Sequence, residues 1–193
     1  MPHQYSLKLA LGISLAISNL VSLPSVFADE LIESCNQCHD GVKQDIPVIN
    51  GISAFALETS LLAYVEGLRV ARPYEGDDMK SIMKKLSDTD FKKIIDHYPS
   101  QAFIPVKQGF NTELAAKGKT LHESYCSRCH TEGGSLADDD SGILAGQWKN
   151  YLIEEMNNYK NGSRIGDKKM ADVMKSLSDE HIQALAEYYA SQQ

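Results

Sequence analysis

The sequence predicts an all-α fold made of two small domains in tandem. The first sign is an internal repeat. Aligning Cys35 with Cys126 also aligns MKSIMKKLSDTD, from Met79, with MADVMKSLSDEH, from Met170, and the register runs on to Tyr98 and Tyr189. Cysteine and methionine are 44 residues apart in both halves. The second sign is periodicity: Leu57, Leu61, Leu62, Val65 and Leu68 recur at three and four, as do Tyr151, Leu152, Met156 and Tyr159, which predicts one amphipathic helix per half. The third is that no useful stretch alternates with period two, which leaves little room for sheet.

Along the chain, residues 1–28 read as a secretory signal peptide. Lys8 supplies positive charge, an apolar stretch runs from Leu9 to Val21, and Val26-Phe27-Ala28 has the small-x-small pattern of a cleavage site. The apolar run is too short for an anchor and is interrupted by Ser14, Ser18 and Asn19. Cleavage near Ala28 predicts a periplasmic chain with no stable membrane insertion. The formal charge of −7, one unit more negative once Lys8 is removed, makes nucleic acid a poor partner.

Residues 29–98 are expected to form an N-terminal domain, 99–111 a connector and 112–193 a C-terminal domain. Gly51, Leu57, Leu61, Tyr64 and Gly67 correspond to Gly146, Leu152, Met156, Tyr159 and Gly162 if the second half is four residues longer before the first glycine and four shorter after the last. Ser87 and Ser178 precede DTDFKKIIDHY and DEHIQALAEYY, where a serine oxygen accepts from the free amides of a starting helix. A further helix is predicted from Thr112 to Tyr125, whereas DELIES gives the first half only a short opening helix. Gly118 in that longer helix predicts a close helix crossing. Pro99, Pro105 and Gly109 mark the connector, and Phe103, Ile104, Val106 and Phe110 predict that it packs on both halves.

All four cysteines lie in two Cys-x-x-Cys-His units, SCNQCHDG and YCSRCHTEGG, spaced 91 residues apart. None is left for a structural disulfide. Two thiols separated by two residues meet the two vinyl groups of a haem, and the adjacent imidazole is carried round to the iron. The alternatives fit less well. A zinc site wants its ligand pairs a couple of dozen residues apart, and a thioredoxin-like dithiol wants a βαβ context. Two covalently bound c-type haems are therefore expected, held by Cys35, Cys38 and His39 and by Cys126, Cys129 and His130, in two cytochrome c-like domains.

For the sixth iron ligand each half offers two methionines, Met79 or Met83 and Met170 or Met174. Met79 and Met170 are preferred, because the later ones lie near the capped helix and suit its packing face. His97 and His181 lack histidine counterparts in the other half and are expected at the surface or in packing; His122 is expected to pack between helices. With both axial positions filled by protein, electron transfer is expected and chemistry at the iron is not. A sensor or peroxidase would need one methionine to leave.

CSRCHTEGG, LADDDSGILAGQW, KKMA and the terminal YASQQ, with the connector IPVKQGFNTELAAKGKTLHESYC, resemble the cytochrome subunit of the flavocytochrome c sulfide dehydrogenases over residues 99–193. The first half matches through Cys35, Cys38, His39, Met79 and the helix ending at Tyr98. The resemblance implies thioether attachment at the four cysteines and axial ligation by His39, Met79, His130 and Met170. It also implies a flavoprotein sulfide dehydrogenase subunit, carrying FAD, as electron donor and a soluble cytochrome as acceptor. An independent dihaem shuttle serving an oxidase or another dehydrogenase is the alternative.

Of the remaining features, Asp138 to Asp140 read as a solvated loop, and Lys84, Lys85, Lys168 and Lys169 as solvated helix faces flanking the methionines. Trp148, Tyr64, Tyr151 and Tyr159 read as core filling, some of it bordering haem.

Overall fold

A computed structural model describes residues 30–193, and eight α-helices with three short 3-10 turns build them. Among the described residues there is no strand, only the isolated bridges Arg69 with Arg164 and Tyr74 with Asp77. The all-α expectation holds. The signal-peptide assignment lies outside the described residues, and no described helix is long and apolar enough to cross a membrane.

The first half contains α1 (Glu30–His39), α2 (Ala54–Glu66), α3 (Met79–Lys85) and α4 (Asp88–His97); the second contains α5 (Thr112–Tyr125), α6 (Lys149–Asn161), α7 (Lys168–Ser176) and α8 (Asp179–Ala190). The start signals are local and physical. Ser87 and Ser178 accept from the amides of Asp90 and His181, whose side chains return the bond to the cap residue and close a capping box. Such caps contribute about 1 kcal/mol each. Asp78 closes a capping box with Ser81 at the start of α3, and Asn111 and Asp167 cap α5 and α7 by accepting from backbone amides. At the other end, Gly67 and Gly162 stop α2 and α6 in the left-handed conformation, at φ 77° and 81°.

The repeat seen in the sequence is also a repeat in space. Leu57 and Leu152 are buried at equivalent points of two separate cores, followed one turn later by Leu61 and Met156. Gly51 N–H donates to the Tyr98 carbonyl at 2.9 Å, and Gly146 N–H to that of Tyr189 at 2.8 Å. Each half is thus closed by the same loop-to-helix bond.

One expectation needs correction, and a second, that the connector packs on both halves, holds for some of its residues. Helix α2 ends at Glu66, so Leu68 lies beyond it, and Leu62 and Val65 are about 40 % exposed. Its buried stripe is narrower than the periodicity implied, because α3 and α4 cover one side of it only. The connector packs through half of its apolar residues. Val106 is buried with Val48 of the first half and Trp148 of the second, and Phe103 lies against them; Ile104 and Phe110 are exposed.

A single side chain ties the halves beside that cluster. The Gln147 amide donates to the Val48 carbonyl at 2.6 Å and accepts from the Val48 N–H at 3.1 Å, both in buried surroundings. Gln147→Leu keeps the volume and removes both partners, leaving a buried N–H and C=O unsatisfied. The expected loss is about 2–6 kcal/mol, from about 1–3 per orphaned group, read as a lower denaturation midpoint. A midpoint unchanged from wild type would show that water replaces the amide.

Candidate functional site

The two Cys-x-x-Cys-His units occupy matching places at the ends of α1 and α5. Helix α1 includes Cys35, Cys38 and His39, whereas α5 stops at Tyr125 and Cys126 caps it. All four thiols are free. Cys35, Cys38 and Cys126 are partly buried and Cys129 is exposed. Beside the first thiol of each unit lies the tyrosine that closes the half, Tyr98 at Cys35 and Tyr189 at Cys126. Tyr98 also donates to Asn36 at 3.0 Å, and Tyr189 shares a hydrogen bond of 3.0 Å with His122. Burial raises the Cys35 and Cys126 thiols.

The two imidazoles are held differently. His39 Nδ1 donates to the Pro47 carbonyl at 2.8 Å, which fixes the tautomer and turns Nε2 away from the backbone. His130 is buried; its Nδ1 makes no close hydrogen bond, although the Gly142 backbone lies near enough to act on the ring. Gly142 holds in the second half the place of Pro47 in the first, four residues before the loop glycine. Burial pushes His130 down to about 4, so its ring is neutral at neutral pH, as an iron ligand must be. His39 is lowered too, first by burial and then by the charge of Arg69, against the Pro47 bond that raises it.

Met79 opens α3 and Met170 lies in the first turn of α7; both are partly buried against the edges of the cores. Met83 and Met174, at 5 % and 2 % exposure, are inside those cores. The other histidines have separate tasks. His122 packs against Tyr188 and Tyr189, His97 stands edge-on to Tyr98, and His181 is part of the α8 capping box. In the aspartate loop, Asp139 accepts from the Thr131 hydroxyl at 2.8 Å and braces the residue after His130. Lys84, Lys85, Lys168 and Lys169 are exposed.

One group of residues was not singled out by sequence. Arg69 and Arg164 follow the stop glycines Gly67 and Gly162 by two residues and meet between the halves. There the Val70 N–H donates to Ser163 O at 3.1 Å and the Ile165 N–H to Leu68 O at 2.6 Å. The guanidinium of Arg69 stacks on Tyr64 at 4.6 Å and that of Arg164 on Tyr159 at 4.5 Å, and both pair with Glu155. Tyr151 and Tyr159 pack against the second core as expected, and with Tyr64 they also form a polar seam. The signal was the repeated Gly-x-Arg, in the same register as the tyrosines.

Among the described residues no three His, Cys, Asp or Glu side chains converge to hold a bare metal ion. Haem makes a different demand: the porphyrin supplies four donors, and the protein adds two thiols, a neutral imidazole and a soft thioether. Free thiols, an imidazole lowered by burial and a partly buried methionine in each half fit that demand.

Residues 113–188 match the family model described as cytochrome c oxidase, cbb3-type, subunit III. The thiosulfate dehydrogenase electron acceptor of Stutzerimonas stutzeri is 26% identical over 176 residues, covering 82% of this chain and 78% of the relative. Among solved structures, thiosulfate dehydrogenase from Marichromatium purpuratum superposes with a TM-score of 0.72 at 26% identity, over 82% of this chain and 36% of that one. Acidithiobacillus ferrooxidans cytochrome c4 does so with 0.71 at 23% identity, over 82% and 99%. The repeat, the helical fold and these likenesses agree: the chain has a helical fold of two domains like that of cytochrome c4, and its second half carries the stretch matched by the family model.

Proposed function

We propose that the chain is an exported, periplasmic dihaem carrier passing single electrons from a dehydrogenase subunit to an acceptor. Cys35 and Cys38 attach one haem c and Cys126 and Cys129 the other, within units spanning 29–98 and 112–193 joined by 99–111. His39 and His130 would each give an imidazole nitrogen to the iron, and Met79 and Met170 a thioether sulfur. The observation that carries this reading is the twofold recurrence of one constellation: a free thiol pair, a lowered-pKa imidazole, a closing tyrosine and a partly buried methionine. A bound haem would supply a one-electron couple, and the imidazole and thioether of each half would take the ligand places that oxygen or peroxide needs.

The donor proposed is the FAD-bearing flavoprotein of a sulfide dehydrogenase, supported by the resemblance over residues 99–193, with a soluble cytochrome as acceptor. Gentle purification of the native protein is expected to bring a larger yellow flavoprotein with it, and sulfide is expected to reduce the pair. Elution alone, fully active as a carrier, would replace this with the second reading. That reading is an independent shuttle serving an oxidase or another dehydrogenase, favoured by the likeness to the thiosulfate dehydrogenase electron acceptor.

A further inference from the structure

The tyrosine that closes each half brings its hydroxyl beside the first thiol, but the two hydroxyls have different second partners. In the first half Tyr98 donates to Asn36 Oδ1 at 3.0 Å, an acceptor that does not titrate. In the second half Ser127 takes the position of Asn36, and the Tyr189 hydroxyl instead shares a bond of 3.0 Å with His122 Nδ1. His122 in turn stands where the first half has Leu31. One copy of the repeat thus has a titratable ring in an apolar place.

His122 is 2 % exposed and held between α5 and α8, with the rings of Tyr188 and Tyr189 at 5.3 and 5.6 Å. The phenols face it from α8 and are kept neutral by burial. Glu123 is its neighbour on α5, and Cys126 lies on the far side of the Tyr189 hydroxyl. Farther off, His130 senses its charge. Burial lowers the His122 imidazole and only Glu123 opposes this, so the ring titrates on the acid side of the usual range.

We propose that His122, Tyr189 and Cys126 form a proton-linked relay that ties the electron affinity of the second half, and of that half alone, to pH. The inference rests on the second half carrying haem at Cys126. Neutral His122, in its Nε2–H tautomer, accepts from the Tyr189 hydroxyl. Taking a proton from water at Nδ1 reverses that bond: Nδ1–H donates to the tyrosine oxygen, and the hydroxyl hydrogen turns to the Cys126 sulfur. A positive charge and the positive end of an O–H dipole then face the attachment point, which favours the electron-rich state. By linkage an arriving electron raises the proton affinity of His122 by the same factor. Tyr98, tied to Asn36, has no such second state.

The test uses the full-length holoprotein, as wild type and with His122→Gln and Tyr189→Phe. Haem content, thermal unfolding and both reduction midpoints are measured from about pH 8 to about pH 4.5, a range that spans imidazole titration. In wild type one midpoint is expected to rise as pH falls, by about tenfold in the reduction equilibrium, or about 59 mV for a one-electron couple, while the other stays within about twofold. His122→Gln keeps a hydrogen-bonding side chain without a titrating one, and should hold that midpoint at its high-pH value throughout. Tyr189→Phe keeps the imidazole and removes the hydroxyl, and should cut the shift to about threefold or less. Two level midpoints in wild type, or the full shift kept in either variant, would overturn the relay; an unfolding temperature that falls while the pH profile stays would make the trio packing only. Imidazole NMR of wild type checks the same linkage without a variant. The His122 signal should titrate at higher pH in the reduced protein than in the oxidised, and one value in both states would overturn the proposal. A wild-type count of fewer than two haems would remove the underlying haem assignment itself, a failure distinct from a level midpoint.

Discussion

Gly118→Ala is expected to destabilise the second half severely, although alanine is the better helix former. Propensity alone would favour the change by about 1 kcal/mol. Sterics decide otherwise. A Cβ at Gly118 would stand 1.9 Å from the Ala184 carbonyl oxygen and 2.7 Å from Tyr188 Cβ, and the first of these is backbone that cannot rotate away. The α5–α8 crossing must open, and overpacking of that kind costs about 3 kcal/mol or more. For a chain of this size the unfolding temperature should fall by roughly 6–12 °C. Because α5 also carries His122, bonded to Tyr189 beside Cys126, the disturbance should reach the second Cys-x-x-Cys-His unit and spare the first. An alanine variant as stable as wild type would mean that the helices cross farther apart.

Met170→Ala and Met174→Ala should fail in opposite ways. Met174 is fully enclosed in the second core, so truncation leaves a cavity and a loss of about 2–5 kcal/mol, with the visible spectrum kept. Met170 is at the core edge, where its loss costs little packing but, on the ligation proposed above, opens an iron position. Its variant should bind carbon monoxide when reduced, which the wild type and Met174→Ala should not. Carbon monoxide binding by Met174→Ala in place of Met170→Ala would exchange the ligand assignments. The same contrast is expected between Met79 and Met83, since Met83 is equally enclosed in the first core.

The elements most legible in the sequence were those specified by neighbours in the chain. Ser87, Ser178, Gly67 and Gly162 act within one helical turn, and a residue type with one strong local preference announces itself. The Cys-x-x-Cys-His units are equally local, since both thiols and the imidazole must share one turn. Gly118 was readable because it broke a helical pattern without ending it. Burial was less legible. Leu62 and Val65 have the right spacing, but whether a helix side is covered depends on partners elsewhere in the chain, and here it is not. Ile104 and Phe110 failed for the same reason. The seam was missed because its residues are charged or aromatic and far apart in sequence; only the shared register of Tyr64 with Tyr159 and Arg69 with Arg164 links them.

The bridge between Arg69 and Arg164 joins residues that occupy the same place in the two repeats, and in antiparallel sense. A patch that meets its own copy in this way is the self-complementary contact of an isologous pair, the commonest arrangement of identical subunits. The polypeptide thus has the form of a homodimer fused end to end. In that view the connector is a tether added to a mating already complete, and Glu155 and Tyr151, which correspond to Ser60 and Ala56 in the other copy, make the seam unequal.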